Sequence, residues 1–174
     1  RRLRSPVKEA HEFARLLENE AVGGFDEVLP VLNQSKAEVE RQMESFFRDC
    51  GPEDEVLLFV SGHGIKNDHN ELFFAAATTD LGLPYSTAVP AYAVQRMIQQ
   101  SQARSVAVIL DCCYSGAFTS NVVARSGTAI DVEEQFGAGV YVMTATNEIE
   151  YAYEHEKLVL DKPVSSSAFT ATLI

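Results

Sequence analysis

VLLFVSGHG at 56–64 and VAVILDCCYSG at 106–116 are the two stretches on which the fold turns. Each begins with five continuously apolar residues, Val56 to Val60 and Val106 to Leu110, rather than an alternating pattern. Such runs suit central parallel strands that are covered on both faces. Each then passes directly into small and polar residues, SGHG in one and DCCYSG in the other. In open α/β sheets the carboxyl ends of strands are where ligand and catalytic groups collect, so the two motifs are expected side by side on neighbouring strands.

The surrounding chain supports a layered α/β reading. Ser5 before Pro6 predicts a helix over about 6–20, with Val7, Ala10, Ala14, Leu16 and Leu17 near helical spacing and Gly23 and Gly24 beyond it. The apolar run from Val28 to Leu32 is expected to be a short strand. Ser35 with Glu38 makes a capping box that opens a second helix, whose Val39, Met43, Phe46 and Phe47 face inward and which ends at Gly51 and Pro52. Further expectations are an apolar stretch at Leu72 to Ala77, a helix from Ala91 to Gln100, a strand from Val140 to Ala145 and a last helix after the serines at 165–167. Strands alternating with helices imply one α/β domain over 1–174. The first helix begins almost at residue 1 and AFTATLI stops within a helical pattern, so the chain reads as a fragment with its first strand missing.

Composition narrows the function. Acidic residues outnumber basic ones 25 to 14, for a net charge of -11, which disfavours a broad nucleic-acid footprint. No apolar run is long enough to span a bilayer, and RRLRSPVKEA lacks the apolar core of a secretory signal. Three cysteines, Cys50, Cys112 and Cys113, match neither a disulfide framework nor a CxxC zinc site. The expected setting is reducing and cytoplasmic.

Chemistry enters with the histidine and the cysteine doublet. A thiol attacks well only as thiolate, so a nucleophilic cysteine wants an imidazole beside it. His63 is the best placed of the four histidines. A lone histidine in a glycine-rich turn is usually structural, and a lone buried cysteine is usually inert. Their joint position at two strand ends, each beside glycine, is what raises the catalytic reading.

With these motifs in view, the sequence resembles the caspase-like cysteine peptidases, most of all the bacterial metacaspase or orthocaspase branch. The likeness rests on LLFVSGHG at 57–64 and VILDCCYSG at 108–116, and extends to YVMTATNEIEYAYE at 141–154 and SAFTATLI at 167–174. Caspase histidines precede the cysteine by about 50 residues, and Cys113 follows His63 by 50. The resemblance implies a three-layer caspase-like fold with a mostly parallel sheet flanked by helices, and an endopeptidase working through a Cys-His dyad. The family pattern Asp-x-Cys-His-Ser-Gly selects Cys113 as nucleophile, with Cys112 in the variable position and Tyr114 where histidine is common. Cys112 is then expected to be a small buried filler that points away from the cleft.

The same resemblance places the oxyanion hole at the backbone N–H groups of Gly64 and Cys113. It makes Asp111 the carboxylate of the S1 pocket, aided by Ser61 and by Glu9 on the first helix, where an aspartate is usual. Asp111 lies two residues before Cys113, on the same side by strand alternation, and could pair with arginine or lysine at P1. The segment 117–138 corresponds to the linker between the larger and smaller portions of such domains, with Arg125 a self-cleavage candidate. No cofactor is required and no metal site is expected; Asp68, Glu71 and Asp80 are too sparse to predict the calcium site some metacaspases use and read as solvated loop carboxylates, which leaves calcium activation open. Partners implied are a protein or peptide substrate and a regulatory domain or protein, without nucleic acid or membrane. The biological role implied is a regulated effector in bacterial stress or defence. The alternative is a catalytically silent caspase-like scaffold.

Overall fold

A computed structural model of the chain describes residues 5–67, 69, 71–115 and 140–144. It divides into two compact units, residues 1–33 with 149–174, and 34–148. The first carries helix α1 (Ser5–Glu18). The second carries α2 (Lys36–Asp49), β1 (Glu55–Lys66), β2 (Leu72–Phe74), α3 (Pro84–Thr87), β3 (Val89–Pro90), α4 (Ala91–Gln100), β4 (Ser105–Ser115) and β5 (Val140–Thr144).

These five strands form one sheet in the order β3-β2-β1-β4-β5. Its centre is parallel: β1 runs beside β4 from Glu55 opposite Ser105 to Ile65 opposite Ser115, and β5 continues in parallel from Val140 opposite Val106. The short strands β2 and β3 add antiparallel pairings at the other edge. This mixed, mainly parallel sheet with helices against it is the α/β architecture expected.

Period two along β1 and β4 explains how the unit is held together. Val56, Val106, Val108, Leu110 and Cys112 are buried on one face, with Leu58 and Val60 partly buried beside them. Phe47 of α2 and Ala91, Val94 and Ile98 of α4 complete that core. Ser35 caps α2 through its Oγ, which accepts from the Glu38 N–H at 3.3 Å. The Glu38 carboxylate turns instead to Arg41 and Gln42, whose hydrogen bonds hold it well below the usual carboxylate range, at about 2.

Three expectations need correction. Residues 28–32 are irregular rather than a strand; Pro30 has no N–H for a ladder and interrupts a run of only five residues. The first helix ends at Glu18, where Asn19 accepts through its carbonyl from the N–H groups of Val22, Gly23 and Gly24, and Gly24 takes φ 63°. Most consequential, SGHG and DCCYS do not follow the strands but lie within them. Extension to residue 66 is possible because β2 pairs with the end of β1, Ile65 opposite Phe73 and Lys66 opposite Leu72. The expected apolar stretch at 72–77 narrows to Leu72–Phe74, whereas the helix at 91–100 is found as anticipated. The linker 117–138 and the last helix lie outside the described residues.

Candidate active site

The parallel register brings the two motifs together residue by residue. His63 is directly opposite Cys113, Ser61 opposite Asp111, and Gly62 opposite Cys112. Paired residues in neighbouring strands, about 4.8 Å apart, occupy the same face of the sheet. Ser61, His63 and Asp111 therefore share the face opposite the α2 and α4 core, and Cys113 is the register partner of His63. His63 is exposed, and Ser61 and Asp111 are partly so.

Cys112 occupies the other face. It is fully buried in the hydrophobic core, and its thiol lies 3.4 Å from the Val60 carbonyl oxygen, to which it donates. The expectation for Cys112, a small buried filler, is thus met. Gly64 is buried in β1 between Phe74 and Tyr114 in register, and the His63 carbonyl accepts from the Ala75 N–H at 2.9 Å. The histidine backbone is consequently fixed from both sides, by β4 and by β2.

Glu9 is on α1, in the first unit, and Ser61, His63, Asp111 and Cys113 belong to the second. Arg125 lies outside the described residues, as does Asp68. The remaining loop carboxylates are engaged locally instead of simply solvated. Asp80 accepts from the Gly82 N–H at 2.9 Å. Glu71 accepts from Asn67 Nδ2 at 2.6 Å and from the Tyr85 hydroxyl.

That last arrangement was not legible beforehand. Asn67 closes the β1–β2 hairpin, its Oδ1 accepting from the N–H groups of His69 and Glu71 at 3.0 and 2.9 Å. Its Nδ2 also donates to the Tyr85 hydroxyl at 2.9 Å. Hydrogen bonds from Tyr85 and then Asn67 hold the Glu71 carboxyl below its ordinary value, and the Glu71 acceptor pushes the Tyr85 phenol up. The Tyr85 ring meets Phe73 edge-to-face with centroids 5.0 Å apart. Only the turn-forming Asn67 carried a sequence signal, since Tyr85 is 18 residues away.

A histidine opposite a cysteine at the ends of neighbouring parallel strands can deprotonate a thiol and return the proton to a leaving group. The family model for the caspase domain of C14 peptidases matches residues 1–174. The chain belongs to the caspase-domain family. No curated protein matches the sequence. Membership makes it a cysteine peptidase by family, a hydrolase whose substrates are proteins. Among the described residues no helix is long and apolar enough to cross a membrane.

Proposed function

We propose that this caspase-domain protein is an endopeptidase in which Cys113 is the nucleophile and His63 its general base, cleaving after arginine or lysine. The observation that carries the reading is the register of β1 on β4, which sets His63 across from Cys113 and Ser61 across from Asp111. His63 takes the thiol proton, and the thiolate attacks the scissile carbonyl to give a tetrahedral oxyanion. Backbone N–H groups stabilise that charge, those of Gly64 and Cys113 being the pair the resemblance implies. Collapse breaks the C–N bond, and the imidazolium delivers its proton to the departing amine. Water, deprotonated by the same imidazole, then hydrolyses the thioester and restores the thiol. The residues supply every proton transfer, so the scheme calls on no cofactor.

Asp111 supplies the selectivity. It lies two residues, about 6.6 Å, before Cys113 along β4, and with Ser61 opposite it offers a carboxylate and a hydroxyl on the nucleophile's face. A carboxylate there pairs with guanidinium or ammonium and repels aspartate. This charge preference, with the DCCYSG string, aligns the chain with the metacaspase or orthocaspase branch. Self-cleavage after Arg125 follows from the same preference; a triggered effector role in a bacterial cell is what the resemblance implies, and a cytoplasmic setting would keep the thiol reduced.

Fluorogenic peptides ending in arginine, lysine or aspartate test the scheme. Turnover of the first two, abolished in Cys113→Ala, is expected. Turnover that survives Cys113→Ala refutes the dyad, selective cleavage after aspartate refutes the pocket, and no turnover by the intact chain favours the scaffold alternative.

A further inference from the structure

The half of the substrate that departs must also rest on something, and the sheet says on which side. In the proposed mechanism His63 protonates the leaving amine, so the residues after the scissile bond begin at His63. His63 belongs to β1, and from Cys113 on β4 the next strand beyond β1 is β2. The departing segment therefore runs over β1 toward β2 and away from β5.

What stands there is Tyr85. Phe73 is opposite Ile65, two residues beyond His63 on the same face, and Ile65, Phe73 and Ala88 form a small buried cluster separate from the main core. The Tyr85 ring packs edge-to-face on Phe73 while remaining 53% exposed. Two residues along a strand and one strand across place Phe73 about 8 Å from His63, and the Tyr85 ring is centred 5.0 Å from that of Phe73. An extended peptide rises about 3.3 Å per residue, so the second or third residue after the scissile bond reaches it. Leu83 is exposed two residues before Tyr85.

The ring is also held in place. Its hydroxyl is tied to Glu71 and Asn67, which together close the β1–β2 hairpin. Thr87 Oγ1 donates toward the Leu83 carbonyl at 2.7 Å and receives the Asp80 N–H at 2.9 Å, which fastens the short helix α3 that carries the tyrosine. An aromatic surface that is already ordered costs a ligand little further entropy on binding.

Resting on the dyad reading above, we propose that Tyr85 is a specificity-determining residue for the leaving segment, a fixed aromatic platform that selects substrates with an aromatic or bulky aliphatic residue two or three places after the scissile bond. Aromatic contacts of this kind are worth about two- to tenfold in kcat/KM.

The test uses quenched-fluorescence peptides with arginine before the cleaved bond and alanine, leucine or phenylalanine at the second or third place after it. Wild type should prefer phenylalanine and leucine over alanine by about two- to tenfold. Tyr85→Ala should level the series, and Tyr85→Phe, which keeps the ring on Phe73, should retain it. Arginyl-coumarin amide, which has no residues after the bond, should be cleaved equally by all three proteins. A level series in wild type overturns the platform whatever the variants do, as does a preference that survives Tyr85→Ala. Failure of the dyad is distinguished by the coumarin substrate: no cleavage by wild type, or cleavage that persists in Cys113→Ala, refutes the mechanism and the platform with it.

Discussion

The two faces of β1 and β4 are built from alternate residues of the same strands and serve different ends. On one face Val56, Val106, Val108, Leu110 and Cys112 are buried against α2 and α4. On the other, apolar residues give way along the strands to Ser61, His63 and Asp111, which are exposed or partly so. Because the period is two, a single step in sequence moves a residue from the packed face to the more exposed one. The cysteine doublet makes the point most economically: Cys112 is sealed in the core, with its thiol donating to Val60, while the backbone of Cys113 faces His63 in register.

The largest expected effect sharpens that contrast. Cys113→Ala should lower kcat/KM by about a thousandfold or more, with thermal stability nearly unchanged. Cys112→Ala should do the reverse, leaving activity within a few fold and costing about 1 kcal/mol of stability through the lost packing. Paired measurements of turnover and thermal midpoint on both variants decide it. If Cys112→Ala is the inactive one, the assignment of faces is wrong.

Next in size is Leu110→Ala. Leu110 is fully buried between Val108 and Cys112 on the packing face. Truncation should cost about 2–5 kcal/mol, seen as a lowered denaturation midpoint. At temperatures where the variant remains folded, the preference for arginine over aspartate substrates should persist, because Asp111 is on the opposite face.

Asp111→Asn probes that opposite face with a smaller change. Removing the charge while keeping the shape should reduce kcat/KM on arginine peptides by about ten- to a hundredfold. The selectivity over neutral residues should shrink with it. An unchanged ratio of arginine to leucine turnover would remove Asp111 from the pocket.

Much of this was legible because local signals and tertiary context agree. Ser35 and Glu38 announced α2, and Val39, Met43, Phe46 and Phe47 were read as inward-facing and do pack on the core. The pair His63 and Cys113 was legible because each lies in a short contiguous string after an apolar run, so that parallel strands alone suffice to juxtapose them. What escaped had another origin. Polar SGHG reads as a loop, and it is pairing with β4 along its whole length, joined by β2 from Gly64 onward, that makes it strand. The strand foreseen at 28–32 overlooked Pro30. Two-residue β3 and four-residue α3 are too short for periodicity to register. Tyr85 joins Asn67 and Glu71 from 18 and 14 residues away, and no spacing rule encodes that meeting.

That cluster offers the most delicate test, since it ties the hairpin beyond His63 to α3 through titratable groups. The folded-state pKa of Glu71 is depressed, so its contribution is present above the ordinary carboxylate range and is lost as pH falls through the lowered value. The Tyr85 pKa is raised, so its contribution is complete below the ordinary phenol value of 10.0 and is lost as pH rises through the elevated one. Between those limits the clasp is intact, which covers the neutral range in which a Cys-His dyad works. Subtracting the ultraviolet titration of Tyr85→Phe from that of the intact chain isolates the Tyr85 phenolate, whose midpoint should lie above 10. In Glu71→Gln the midpoint should fall back, because the largest cause of the upward shift is the hydrogen bond to the carboxylate. A midpoint indifferent to Glu71→Gln would mean that the hydroxyl is not held by Glu71 in solution. Tyr85 would then sit against Phe73 by packing alone, and the face beyond His63 would be looser than the hairpin geometry describes.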